Sequence, residues 1–246
     1  MVHVVAIRRY PVKSMGGEAL TGVELDARGL VGDRAFAVSN LEGRFASGKN
    51  TKRFRRHDEV FAFAARTMAD AVVVSGAGGE WSVGQAGLDA ALSDALGQPM
   101  RVTAEAGVPH FDDGAVSVVG TATLAWCERE LGVDPDARRL RVNVVVQTSE
   151  PFEEESWEGA IVIGGSGSGA GRGSSSGARE GSGSGAVLRT VQRIERCRTI
   201  DLPQDGVRTR TRWLKPLGDA RDARVGIYCD VAIPGTITVG DQVRPG

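Results

Sequence analysis

The residues best suited to chemistry in this 246-residue chain are its three cysteines, and they keep different company. Cys197 lies in QRIERCRTIDLPQDG, directly between Arg196 and Arg198, with Arg193 close behind. Cationic neighbours favour the thiolate, the form of cysteine that acts as nucleophile or metal ligand. A strand whose arginines point to solvent while the thiol packs inward fits the same residues, and the local sequence leaves both readings open. Cys127 and Cys229 read as core. In TATLAWCERELG, Leu124, Cys127 and Leu131 fall at i, i+3 and i+7 on one helical face. In RVGIYCDVAI, Val225, Ile227, Cys229, Val231 and Ile233 alternate along one face of a strand.

Other clusters suit anions better than metals. YPVKSMGG sets Lys13 and Ser14 after a strand-like run and before paired glycines, where side-chain and backbone donors could hold an anion or simply form a turn. GLVGDRAFAVSN places Arg34 at the start of a strand after a glycine turn, and RRLRVNVVV places Arg138, Arg139, Arg141 and Asn143 around another. The planar guanidinium fork matches phosphate or carboxylate, although strand arginines are also commonly solvated. ASGKNTKRFRRHDE is the densest basic run and reads as a solvated loop or one wall of an anionic-ligand site. The acidic run EPFEEESWEG has no companion cluster at metal-ligand spacing. The cysteines and His3, His57 and His110 lack the close pairs of a structural zinc site. A thiol–imidazole dyad would need the fold to bring His57 or His110 beside Cys197.

Many short strands must position these residues. VHVVAIRRY, GVELDARG, RAFAVSN, AVVVSG, EWSVGQ, RLRVNVVVQ, AIVIGG, AVLRTV, VGIYCDVAI and TITVGDQV are β-branched runs between glycine-bearing turns. LDAALSDALG and TATLAWCERELG predict helices that stop at Gly97 and Gly132. The expectation is a mainly β, α+β architecture, barrel-like, with a few helices. Residues 165–185 consist only of Gly, Ser, Ala, Arg and Glu, too little apolar surface to offset ordering entropy, and predict a flexible loop inserted between two strands. A softer boundary falls near residues 97–109.

With 30 basic and 31 acidic residues, the whole-molecule charge gives no reason to expect nucleic acid or an anionic membrane as partner. The start MVHVVAIRRYPVK lacks the order of a secretory signal, no apolar run has membrane-spanning length, and scattered cysteines suit a reducing compartment; the expected location is cytoplasmic.

In their order along the chain these pieces resemble one family. YPVKSMGGEALTGVELDARGLVGDRAFAVSNLEGRFASGKN resembles the N-terminal β-barrel module that precedes MOSC domains. VSVVGTATLAWC, RRLRVNVVV, PFEEESWEGAIVIG, AVLRTVQRIERC, VGIYCDV and PGTITVGDQV are similar to successive pieces of a MOSC domain. The resemblance implies an N-terminal β-barrel module over residues 1–98 packed on a MOSC β-barrel over residues 99–246, the latter carrying the Gly/Ser insertion.

It also implies a molybdenum enzyme similar to the mitochondrial amidoxime-reducing component and its bacterial relatives. There a molybdenum–molybdopterin cofactor, a pyranopterin dithiolene, removes oxygen from small N-hydroxylated substrates. Cys197 matches the cysteine that ligates the metal, and flanking guanidiniums would help keep such a thiolate ready. Lys13, Ser14, Arg34, Arg141 and Asn143 match residues that grip the cofactor, and Lys49, Thr121, Thr123, Arg196 and Tyr228 lie in motifs near it. Val142 and Val225 stand where many relatives carry proline and phenylalanine, and neither change removes a donor. No cysteine-rich ferredoxin-like stretch follows Gly246, so electrons are expected from a separate reductase or carrier protein. The alternative implied by the family is a sulfur carrier in which Cys197 transiently holds a persulfide.

Overall fold

The computed structural model describes residues 1–164, 185–207 and 211–246. The chain is mainly β, with three α-helices among the described residues, α1 (Ala86–Leu96), α2 (Thr121–Leu131) and α3 (Leu214–Arg221). The largest sheet has eight strands in the order Val243–Pro245, Ala160–Ile163, Ala186–Glu195, Arg224–Ile233, Val116–Gly120, Val144–Val146, Val4–Arg9 and Glu18–Leu20. All neighbours are antiparallel except Val116–Gly120 beside Val144–Val146. A parallel pair needs a crossover, and α2 supplies it. The run VSVVG is buried at every position, as a strand covered on both faces requires.

The apolar positions sort into three cores. Val4, Ile7 and Leu25 from the start of the chain pack with Ile161, Leu188, Cys229 and Ile237. Val12, Met15, Val38, Phe61, Leu88 and Met100 form a second core against α1. Leu124, Cys127, Trp213, Leu217 and Val225 form a third under α2 and α3. Strand Val4–Arg9 therefore lies in one core while the segment that follows it enters another. That crossing carries Lys13 and Ser14 to the seam between the cores.

Both foreseen helices end as expected, with Gly97 (φ 70°) and Gly132 (φ 65°) in the left-handed conformation that a residue lacking Cβ adopts easily. The segments flanking the Gly/Ser tract pair directly, Ile163 opposite Ala186, as an insertion between neighbouring strands requires. The tract itself, apart from Gly185, lies outside the described residues, and its expected flexibility with it.

Two expectations are corrected. RLRVNVVVQ is a strand only at Val144–Val146. Ala137–Leu140 is a 3-10 turn, started by the Asp136 carboxylate accepting the Arg138 N–H (3.0 Å) and closed by Arg141 at φ 54°. Helix α3 has no sequence signal because Pro216 and Gly218 lower its intrinsic preference. Tertiary contacts override that: Asp201 accepts the Trp213 N–H (2.6 Å), and Trp213 and Leu217 are fully buried. The alternating face around Cys229 holds for Ile227 and Cys229; Val225, on the far side of the left-handed Gly226, packs in the third core instead, and Ile233 is 56% exposed where the strand outruns its core.

Candidate functional site

Strand Ala186–Glu195 delivers the chain to Arg196 and Cys197, and the 3-10 helix Arg198–Asp201 begins immediately after. Arg196 is buried. Its Nε and Nη2 donate to the Val225 carbonyl (3.0 and 2.7 Å) and Nη1 donates to the Leu140 carbonyl (2.7 Å). Gly226, at φ 76°, makes room for this: a Cβ there would stand 2.7 Å from the Val118 carbonyl oxygen and 3.2 Å from Arg196 Nη2. Arg198 turns the other way, its Nη1 and Nη2 on the Asp58 carboxylate (2.6 and 2.9 Å) and Nη1 also on the Gly48 carbonyl (2.9 Å). The two guanidiniums beside Cys197 thus clamp the backbone on either side of it. One serves carbonyls and the other is balanced by a carboxylate, which sharpens the simple expectation that both act on the thiol.

Cys197 is half-buried, with its Sγ 3.3 Å from Thr199 Oγ1, and it lines a cleft that is partly open to solvent. Cys127 and Cys229 are fully buried, and burial pushes both thiols up to about 12. They stay neutral and unreactive at neutral pH.

Eight of the eleven residues singled out from sequence meet in this one cleft: Lys13, Ser14, Arg34, Lys49, Arg141, Arg196, Cys197 and Tyr228. Ser14 (φ 69°) donates its hydroxyl to the Ala46 carbonyl (2.9 Å), tying two loops together. Arg34 (φ 49°) is paired with Asp33, whose carboxylate also accepts the Tyr10 N–H (2.7 Å), and its Nη2 donates to the Arg141 carbonyl (3.1 Å). Arg141 Nη2 donates to the Met15 carbonyl (2.7 Å), and the Arg141 and Arg34 guanidiniums lie 4.4 and 5.0 Å from the Tyr10 ring centroid. Backbone carbonyls and an aromatic face thus hold these cations in place.

Three expected residues stand elsewhere. Asn143 is buried behind the lining, where its Oδ1 accepts the Ser117 N–H and hydroxyl (3.1 and 2.8 Å) and its Nδ2 donates to the Arg8 carbonyl (3.2 Å). It supports Ser117 and Arg34 from behind the cleft wall. Thr121 and Thr123 lie past the other end of strand Val116–Gly120. Thr121 Oγ1 accepts the Thr148 N–H (3.2 Å), while Thr123 Oγ1 donates to Glu154 (2.9 Å) and accepts the Phe152 N–H (2.7 Å). Their hydroxyls are engaged in fixing the 148–154 loop. Arg138 is paired with Asp136, and Arg139, though at the cleft wall, donates to the Ile200 and Thr211 carbonyls.

Sequence reasoning missed Asp112, Asp113 and Ser117, all of which line the cleft. Ser117 carries a signal, as the one polar residue inside an otherwise apolar strand, whereas the Asp112-Asp113 pair before Gly114 has no pattern of its own to mark it. Neither His57 nor His110 lines the cleft. His57 Nε2 is 2.6 Å from Gln98 Nε2, and His110 Nδ1 is 3.1 Å from the Arg34 carbonyl, so the fold assembles no cysteine–histidine dyad there. Among the described residues no group of three or more His, Cys, Asp and Glu stands together as a metal site.

The sequence comparison decides the family. Residues 105–244 match the model of the MOSC domain, and residues 1–93 match that of the MOSC N-terminal beta barrel domain. The chain belongs to the MOSC family. No curated protein matches it. Among solved structures, this MOSC protein is similar to the YuaD protein from Bacillus subtilis at TM-score 0.47 and 14% identity, over 99% of this chain and 94% of that one. YiiM from Geobacillus stearothermophilus is similar at TM-score 0.34 and 16% identity, over 55% of each chain.

The MOSC cleft carries its own internal anion. Asp112 Oδ1 lies 3.1 Å from Lys13 Nζ and 3.5 Å from Lys49 Nζ, and although burial alone would raise it, these ammonium groups hold its carboxyl well below the usual range. Burial lowers Lys13 to about 8, against the pull of Asp112. Lys13 is therefore charged below that pH and neutral above it. Affinity of the cleft for sulfate, whose own charge is constant, is expected to fall about five-fold between pH 7 and pH 9 in calorimetric titrations. Lys13→Met should flatten that dependence, and a pH-independent wild type would refute the role given to Lys13.

Proposed function

We propose that this MOSC protein is a molybdenum-cofactor-dependent reductase that removes the oxygen of small N-hydroxylated compounds. One observation carries the reading: a single cleft joins the accessible thiol, Cys197, to the cations Lys13, Arg34 and Arg141. The donor set fits a phosphate-bearing pterin dithiolene. A phosphate taken out of water needs charge-assisted donors, and Asp112 already stands in for an anion between Lys13 and Lys49. A soft thiolate is the protein ligand a molybdenum–dithiolene centre calls for, and Cys197 would supply it. When bound, that group supplies the two-electron redox chemistry.

The chain's own residues bind, orient and deliver protons. Lys13, Ser14, Arg34, Lys49 and Arg141 would hold the anionic end of the cofactor, and Arg196 would fix the backbone that presents Cys197. Burial raises Tyr228, so its phenol is neutral and able to donate a hydrogen bond into the cleft at neutral pH. Lys13 Nζ, lowered to about 8, can hold or release a proton near neutrality. Reduction of the N–O bond consumes two electrons and two protons and yields the amine and water. Its test is turnover of benzamidoxime to benzamidine by cofactor-loaded protein with reduced methyl viologen as donor. Wild type is expected to turn over and Cys197→Ala to fall to background; a wild type without turnover would overturn the reading.

The accessibility of Cys197 alone among the three cysteines also favours a second reading, a sulfur carrier holding a Cys197 persulfide. Mass-spectrometric detection of a persulfide on Cys197 in metal-free protein would select it. Three free cysteines accord with a cytoplasmic setting, and no helix among the described residues is long and apolar enough to cross a membrane.

A further inference from the structure

Cofactor binding leaves most of the densest basic run unused. From Arg44 to Arg56 the chain carries six cations, Arg44, Lys49, Lys52, Arg53, Arg55 and Arg56, and no acid. The rest of the chain holds 24 basic residues against 31 acidic ones, so the run is a local cationic stretch in a nearly neutral chain. Lys52, Arg53, Arg55 and Arg56 are exposed, while Phe54 between them is buried, with Lys13 and Lys49 each 4.9 Å from its ring centroid. Arg56 is paired with Asp58, and Arg53 donates to the Pro109 carbonyl (2.6 Å). Lys52 and Arg55 have no side-chain partner among the described residues.

This run adjoins the cleft. Ser47 and Lys49 line it, and Gly48 and Asp58 hold Arg198, the neighbour of Cys197. Charge placed there speeds and orients the encounter with an oppositely charged partner more than it strengthens the complex. With Phe54 buried and Phe45 half-buried against Phe54 and His110, the run presents no exposed aromatic ring on which nucleic-acid bases could stack.

We infer that the exposed Arg44–Arg56 run beside the cleft is the docking surface for a small flavin-bearing electron-carrier protein with an acidic face, of the flavodoxin class. The inference rests on the reductase reading, which requires two electrons to reach this cleft for each N–O bond broken. A carrier oxidised from flavin hydroquinone to quinone delivers both electrons and two protons, and those protons leave in the amine and water.

The test uses Lys52→Glu/Arg55→Glu, whose side chains touch neither the cleft nor a partner, with an acidic flavodoxin as probe. Wild type should bind flavodoxin at low salt and lose about ten-fold in affinity between 20 and 200 mM NaCl, as a steered, screened encounter does. The double variant should bind at least about ten-fold more weakly at low salt. With cofactor loaded, its flavodoxin-driven reduction of benzamidoxime should fall by a similar factor while its viologen-driven rate and circular dichroism stay at wild-type values. Unchanged flavodoxin binding in the variant, or absence of salt-sensitive binding in wild type, would overturn the proposal, as would tighter binding of a single-stranded oligonucleotide through the same run. Lack of viologen-driven turnover in wild type would instead remove the reductase reading, and the binding measurement would still decide the surface.

Discussion

Arg196→Ala is expected to lower the unfolding free energy by about 3 kcal/mol, with an unchanged m-value in urea. The guanidinium is 8% exposed and makes three hydrogen bonds to two buried carbonyls, those of Val225 and Leu140. Burial lowers it to about 10, which leaves it charged at neutral pH. Alanine would orphan both carbonyls and leave a void beneath Gly226, and each of those costs adds to the other. Arg196→Lys keeps a charge but lacks the planar fork, so it should recover only part of the loss. A loss below about 1 kcal/mol for alanine would show that the Arg196 hydrogen bonds are readily replaced by water. Because Arg196 immediately precedes Cys197, the same change should also loosen the thiol's placement.

The β-rich character and the two amphipathic helices were legible because they depend on local patterns. Leu88, Leu92 and Leu96 repeat at helical spacing and are buried along α1, and Gly97 and Gly132 end their helices as a left-handed cap requires. What local pattern could not reveal was the joining of distant pieces. Val4–Arg9 pairs with Val144–Val146, and Gly22–Asp26 pairs with Gly235–Thr238, so the start and the end of the chain share one core. Helix α3 escaped for a related reason, since its stability comes from Trp213, Leu217 and the Asp201 cap and not from its own residues.

At the site, cysteine burial was readable from alternation and helical spacing, and elimination of Cys127 and Cys229 left Cys197. Lys13 and Arg34 stand beside glycine-bearing turns and Arg141 beside a strand-like run, and it was the family resemblance that gave all three to the cofactor. Thr121 and Thr123 misled because small hydroxyl residues at the start of a helix serve equally well to fix a neighbouring loop, which is what they do here. Arg198 was read as a partner of the thiol, yet its carboxylate, Asp58, lies 140 residues away in sequence and becomes visible only in the fold. Asp112 was overlooked for the same reason, because its meaning comes from Lys13 and Lys49 on a separate loop.

Cys197→Ala should have the largest functional effect. Among the described residues it is the one cysteine at the cleft, and no cluster of other His, Cys, Asp and Glu side chains stands ready to replace it as a metal ligand. The cations of the cleft would remain, so the loss should fall on the metal first and on the anionic cofactor as a consequence. The most direct test is the molybdenum and pterin content of the protein purified from a host that makes molybdenum cofactor. Wild type is expected to carry about one metal and one pterin per chain and Cys197→Ala close to none, with the buried-cysteine variant Cys229→Ala still loaded. A wild type devoid of both, or equal occupancy in the Cys197→Ala protein, would contradict the account.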